Sequence, residues 1–177
     1  MKKFLIYTDG SYCKGHKETH GGIVYVPVND EMELKRIHVF TTQPELVRSW
    51  NVGGECLAAW CALLSVVSEV KRLNKECMDT YECDIVYDYE GVGGWPTLAW
   101  KRREKPVAQW YYDAVTNLLK QVPNLKVNWK WVKAHTGKDP WNAEADAVAA
   151  YNMEHCEINN IPICDMDETL KEMFFGS

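Results

Sequence analysis

Two short runs of strand-forming residues in this chain each end on an aspartate, and that repeated ending constrains the fold more than any other feature. Phe4-Leu5-Ile6-Tyr7-Thr8 leads into Asp9-Gly10-Ser11, where turn formers end the run. Asp84-Ile85-Val86-Tyr87 leads in the same way into Asp88-Tyr89-Glu90-Gly91. If the two strands are parallel neighbours connected in opposite directions, both carboxylates meet at a topological switch point, where open α/β sheets hold their ligands.

Two more acidic residues join them from helices. Gly53 to Leu73 contains no proline, and Leu57, Cys61, Leu64, Val67 and Ser68 recur at spacings of three and four, which predicts a helix with a core-facing stripe. Glu55 is expected in its first turn, where a carboxylate suits the positive end of the helix dipole. Further on, Asp139 can cap a helix that begins with Pro140, which puts Asn142 and Asp146 four apart on one face. His135, with Gly137 two residues later, sits on the loop before that helix.

Each of these residues alone has an ordinary reading. In a chain with 25 Asp and Glu most acids lie on a solvated face, and Asp-Gly-Ser is a common turn. Together, two strand-end aspartates, a helix-start glutamate and an aspartate that follows a loop histidine point to metal-dependent hydrolysis of a phosphodiester. Such a reaction gathers negative charge in one place, and a pair of divalent ions roughly 4 Å apart activates water and neutralises the leaving oxygen. Hard carboxylate oxygens suit Mg²⁺ or Mn²⁺.

The same residues resemble the type 1 ribonuclease H family, from about Lys3 to Ala150. The marks are Tyr7-Thr8-Asp9-Gly10-Ser11, Asn51-Val52-Gly53-Gly54-Glu55-Cys56-Leu57-Ala58-Ala59, Val86-Tyr87-Asp88, and Val132-Lys133-Ala134-His135-Thr136-Gly137 leading to Asn142 and Asp146. Asp88-Tyr89-Glu90-Gly91, followed by Trp95 and Trp100-Lys101, looks most like the branch often fused to a viroplasmin-like module. With the first strand beginning almost at Met1, no such module is expected in this chain.

The resemblance implies an α/β ribonuclease H-like fold, a five-stranded mixed sheet in the order 3-2-1-4-5 flanked by helices. It implies a catalytic domain over 1–153, leaving 154–177 as an acidic extension formed of a loop and a short helix. The implied activity is endonucleolytic hydrolysis of the RNA strand of an RNA/DNA hybrid, leaving 5′-phosphate and 3′-hydroxyl ends. Asp9, Glu55, Asp88 and Asp146 would be catalytic and would hold two Mg²⁺ ions, or Mn²⁺, with Asp9 bridging them. His135 matches the family's loop histidine, which assists proton movement or product departure near the attacking water. A non-catalytic hybrid-binding module and another nuclease of the same superfamily are the alternatives. The first would show an eroded carboxylate set, and a proofreading exonuclease would show Asp-x-Glu in place of Asp9-Gly10-Ser11.

Substrate contacts follow from the same match. Discrimination of RNA from DNA depends on the 2′-hydroxyls. Asn51 and Asn142 match positions that contact the hybrid, and Gly10, Ser11 and Cys13 lie in the segment after Asp9. Val52 departs from relatives that carry a second polar residue there. The net charge of -5 is unlike that of a generic nucleic-acid binder, but residues 151–177 hold six acids against Lys171 alone, so residues 1–150 are neutral. Positive charge is local, in Lys101-Arg102-Arg103-Glu104-Lys105, where some relatives carry a basic handle. Lys101 and Arg102 are therefore expected to meet substrate, alongside Trp95, Trp100 and Trp141.

Composition adds bounds. The chain has 177 residues, 46% of them hydrophobic, which suffices for one substantial core. No apolar run is expected to span a membrane, and Met1-Lys2-Lys3 leads into no secretion signal, so a cytoplasmic monomer with reduced thiols at its seven cysteines is expected. Cys13, His16 and His20 lack a fourth ligand for zinc. A hairpin over Gly21–Val28 and Leu34–Thr41 turning at Asn29-Asp30, a strand over Lys126–Lys133, and helices over Val107–Gln121 and Pro140–Met153 complete the expected elements.

Overall fold

This computed structural model describes residues 2–74, 79–101, 105–133, 139–150 and 161–176. β1 (Lys2–Cys13), β2 (Glu18–Val26) and β3 (Lys35–Thr41) form an antiparallel meander, followed by the short α1 (Pro44–Val47) and the long α2 (Trp50–Leu73). Then come β4 (Tyr81–Tyr87), α3 (Gly91–Gly94), α4 (Pro106–Lys120), β5 (Leu125–Trp131), α5 (Pro140–Ala149), β6 (Ile163–Asp165) and α6 (Asp167–Phe175). The sheet order is β5-β4-β1-β2-β3-β6. The expected five-strand order is kept, running from the β5 edge to β3, and the strand count is corrected to six: β6 lies parallel to β3, with His38 opposite Ile163. Ile163–Asp165 satisfies backbone groups that β3 would otherwise leave open at the sheet edge.

Alternating burial builds two layers around the sheet. Ile6, Ile23 and Ile85 join the main core beneath α2 and α4, while their chain neighbours Tyr7, Val24 and Val86 join a second cluster with Ala145 and Val148 of α5. Trp60 of α2 meets Trp110 of α4 edge-on, with ring centroids 5.7 Å apart. α2 is long and apolar enough to cross a membrane by length and composition, contrary to expectation, but it is the central helix of this core. The hairpin between β2 and β3 turns at Asn29, whose side chain accepts from the Glu31 amide at 3.0 Å.

Several boundaries differ from the sequence reading, each for a local reason. β1 does not end at Asp9. It loses its β4 partner after Tyr7–Val86 but stays paired with β2 as far as Cys13–Glu18, so Gly10 and Ser11 remain strand residues. α2 begins at Trp50 because the Ser49 carbonyl already accepts the amides of Val52 and Gly53. Glu55 therefore lies in the second turn, and the dipole argument for its placement does not hold. Trp95 is 1% exposed, packed against Tyr89, Trp100 and Tyr111, and is a core residue rather than part of a substrate face. The helix expected to reach Met153 ends at Ala149 with Ala150 as its C-cap, and residues 151–153 lie outside the described residues.

The C-terminal segment docks through Asp167, whose carboxylate accepts from the Thr41 hydroxyl at 2.6 Å and from the Thr42 amide and hydroxyl at 2.7 Å each. Leu170 is fully buried, and Phe174 packs on Trp110 with centroids 6.0 Å apart. The segment thus completes one edge of the sheet and one wall of the core.

Candidate active site

The register of β1 and β4 sets the site. Tyr7 lies opposite Val86, so Asp9 and Asp88, each two residues further on, leave the parallel pair at the same level. Two glycines then let helix backbones come close. A β-carbon on Gly10 would lie 2.7 Å from the Gly54 carbonyl carbon and overlap the Glu55 amide nitrogen, so only glycine lets α2 rest directly on β1. Gly22 stands opposite Asp9 on β2, and a β-carbon there would overlap the Ala145 carbonyl and the Ala149 amide of α5. One contact brings Glu55 to Asp9, and the other brings α5, with Asp146, to the same place.

Asp9, Glu55 and Asp88 each present a carboxylate oxygen, all within 4.8 Å of one another. Asp9 is 4% and Glu55 3% exposed. Asp146, exposed on α5, borders Asp9 but lies outside this group of three carboxylates. Burial pushes the Asp9 carboxyl up to about 7. Hydrogen bonds from Glu55 and the Gly10 amide oppose the rise, while the Asp88 charge and Asp146 add to it. Burial also raises Glu55 well above the usual carboxylate range, with Asp9 and Asp88 adding to the shift. Glu55 Oε2 is buried with no hydrogen-bond partner.

Like charges held together, and a buried acceptor left without a donor, are costly in a protein alone. A divalent cation removes both costs, because hard oxygen donors are what Mg²⁺ and Mn²⁺ take. Asp9, Glu55 and Asp88 therefore fit a metal, and among the described residues they are the group of acids, histidines and cysteines that could hold one. Cys13, His16 and His20 form no such group: His20 Nδ1 lies 2.7 Å from His38 Nε2, and its Nε2 lies 3.1 Å from Glu18.

The remaining expected site residues fall around this cluster. Asn51 is exposed on the first turn of α2, while Ser11 and Cys13 are half-buried on β1. Asn142 is buried on α5, with its Oδ1 unpartnered. Asp139 caps α5 by accepting from the Trp141 amide at 3.0 Å, and the Tyr7 hydroxyl donates to its other oxygen at 2.7 Å, which ties the helix start to β1. Lys101 lines a cavity of about 400 Å³ with Trp95, Ala99, Trp100 and Lys105. His135 and Arg102 lie outside the described residues.

Three contributors were missed from sequence. The Trp131 indole donates to the Asp88 carbonyl at 2.9 Å, a contact foreshadowed only by the alternation of Val127, Trp129 and Trp131. Gly22 gave no local signal, because its partner helix is more than a hundred residues away. Thr19, fully buried, donates its hydroxyl to the Trp50 carbonyl at 2.7 Å and fixes the start of α2.

Comparison with known proteins agrees with this arrangement. The chain is 32% identical over 162 residues to the ribonuclease H of Brucella anthropi, covering 87% of this chain and 92% of that protein. It is 31% identical over 151 residues to the ribonuclease H of Pseudomonas entomophila, covering 81% and 88%. Among solved structures, RNase H1 of Halobacterium salinarum aligns with a TM-score of 0.56 at 18% identity, covering 84% of this chain and 95% of that one. The N-terminal RNase H domain of a Mycobacterium tuberculosis protein aligns with a TM-score of 0.57 at 18% identity, covering 85% and 92%. With residues 1–154 matching the RNase H family itself, the chain belongs to that family and is a ribonuclease H enzyme.

Proposed function

We propose that the chain cuts the RNA strand of RNA/DNA hybrids internally, leaving 5′-phosphate and 3′-hydroxyl ends, with two divalent ions held by Asp9, Glu55, Asp88 and Asp146. The observation that carries this reading is the Asp9–Glu55–Asp88 cluster with its unpartnered Glu55 oxygen. When bound, the ions, Mg²⁺ or in its place Mn²⁺, would lower the pKa of a water and neutralise the leaving oxygen.

The protein's part is positioning. The Gly10 amide, 2.9 Å from Asp9 Oδ1, fixes that carboxylate, and the Trp131 indole holds the backbone that carries Asp88. Asn51, exposed four residues before Glu55, is placed to meet sugar edges, and Lys101 with Trp100 to meet the strand further out. His135 takes the role of a proton carrier near the attacking water. The Asp88-Tyr89-Glu90-Gly91 variant supports membership of the branch often joined to viroplasmin-like modules.

The test is cleavage of end-labelled RNA in an RNA/DNA hybrid beside RNA/RNA and DNA/DNA duplexes, with Mg²⁺, with Mn²⁺ and with chelator. Metal-dependent cutting confined to the hybrid, lost in Asp88→Asn, is the expected result. A folded chain that binds the hybrid and never cuts it would leave a binding module instead.

A further inference from the structure

Trp50 opens α2 with its backbone held and its side chain left to solvent. Its side chain is 65% exposed, and its backbone has φ +52°, a conformation that a bulky residue rarely adopts. The strain is fixed from beneath. Thr19, with no exposure, grips the Trp50 carbonyl at 2.7 Å, and Gly10 is packed against the next carbonyl, that of Asn51. Backbone strain of this kind persists only where the surroundings over-determine it, and it clusters at functional sites. Tyr12 braces the indole, its ring centroid 6.4 Å away and tilted by 33°.

The position lies on the two elements that carry Asp9 and Glu55. Trp50 precedes Glu55 by five residues on one helix, and Tyr12 follows Asp9 by three on one strand, a span of about 10 Å. The exposed charges of the two adjoining segments are basic, although the chain carries a net charge of -5, and the acids there, Glu18 and Glu45, are half-buried. Lys14 and Lys17 are exposed in the turn directly after Tyr12, and Arg48 is exposed two residues before Trp50. Aromatic faces among cations are the signature of single-stranded nucleic-acid contact, because every base offers a π-face and every phosphate a charge. A paired base hides both faces in its stack, whereas an unpaired one at the border of a duplex exposes them.

We propose that Trp50, braced by Tyr12, is a stacking platform for an unpaired base flanking the hybrid, so that the enzyme favours hybrids bordered by single-stranded RNA over blunt, continuous ones. This rests on the hybrid-cleavage reading above and adds a substrate preference to it. Lys14, Lys17 and Arg48 would hold the backbone of the flanking strand while the indole holds the base.

The experiment is fluorescence anisotropy in chelator, so that nothing is cut. It compares a blunt RNA/DNA hybrid with the same hybrid carrying a single-stranded RNA extension. Wild type is expected to bind the extended probe about tenfold more tightly. Trp50→Gly, which relieves the positive φ and so keeps the fold, should lose that preference while binding the blunt probe within about twofold of wild type, and Trp50→Phe should keep most of it. Equal binding of both probes by wild type, binding of neither, or an equal loss on both probes in Trp50→Gly would overturn the platform. Cleavage separates the two readings: a chain that cuts hybrids without preferring the extension refutes the platform alone, and one that prefers the extension but never cuts refutes the catalytic reading alone.

Discussion

Gly22 stands directly across the β1–β2 ladder from Asp9, and the helix that carries Asp146 rests on its bare α-carbon. The seat of Asp146 therefore depends on a missing side chain in a strand that contributes nothing to the Asp9–Glu55–Asp88 group. In Gly22→Ala the added β-carbon meets Ala145 and Ala149 backbone, which cannot rotate away, so α5 must move outward. The expected cost is about 1–3 kcal/mol of stability. Activity should fall further, by about a hundredfold, because misplacement of a reacting group by an ångström has that order of effect. Thermal melts and hybrid cleavage on the same variant check this. A loss of stability with activity retained would show that α5 does not need its present seat.

Removing one acid from the cluster should separate stability from chemistry. Asp88→Asn takes away a charge that raises both Asp9 and Glu55, so the metal-free variant should melt no lower than wild type. Cleavage should be abolished. Mg²⁺ at a hundred times its dissociation constant should stabilise wild type by about 2.7 kcal/mol and the variant by much less. A variant that melts lower without metal, yet gains as much on adding it, would show that Asp88 serves the fold and not the ion.

Asp167 gives the C-terminal segment a pH dependence. Partial burial pushes its carboxyl up, but hydrogen bonds from the Thr41 hydroxyl and from the Thr42 hydroxyl and amide outweigh that and hold it below the usual carboxylate value. A depressed folded pKa contributes stability above the unfolded value of about 3.9 and loses it as pH falls through the folded value. Asp167→Asn should cost about 1–2 kcal/mol at neutral pH. Urea melts should show the gap between variant and wild type closing at acid pH. A gap of the same size at both pH values would assign the effect to shape rather than charge.

The parts of this site that could be read from sequence were those carried by short-range pattern. The short strand-forming runs Phe4–Thr8 and Asp84–Tyr87 marked two strands, and their shared ending marked Asp9 and Asp88. Asp139-Pro140 gave the start of α5 through its cap. Long-range contacts were not legible. β6 has three residues, too few to show a period, and is a strand only because β3 offers an edge. β1 runs on past Asp9 because β2 continues to pair with it, overriding the turn preference of Gly10-Ser11. Trp50 opens α2 with a positive φ that no propensity predicts, since Thr19, thirty-one residues away, holds it there.

The buried pair His20 and His38 leads to the last prediction through its proton arrangement. His38 Nδ1 faces the Val148 carbonyl at 2.7 Å, which only accepts, so that nitrogen carries a proton. With both rings neutral, His38 Nε2 then accepts from His20 Nδ1, and His20 Nε2 turns a lone pair toward the Glu18 carboxylate. A second proton on His20 would repair that contact, but burial opposes it, together with His16, and lowers His20. Burial likewise lowers His38, against the pull of the Val148 carbonyl. Folded pKa values below the unfolded value mean that the unfolded chain binds more protons in the interval between them. Stability therefore rises with pH across that interval and is lost as pH falls below about 6.5. His38→Phe removes one titrating ring and leaves the Val148 carbonyl and His20 Nδ1 unpaired, so it should cost about 1–3 kcal/mol at neutral pH. Its stability should also fall less steeply than that of wild type as pH drops through the histidine range. Urea melts across that range measure both slopes, and parallel curves would show that the pair titrates no differently in the folded and unfolded chains.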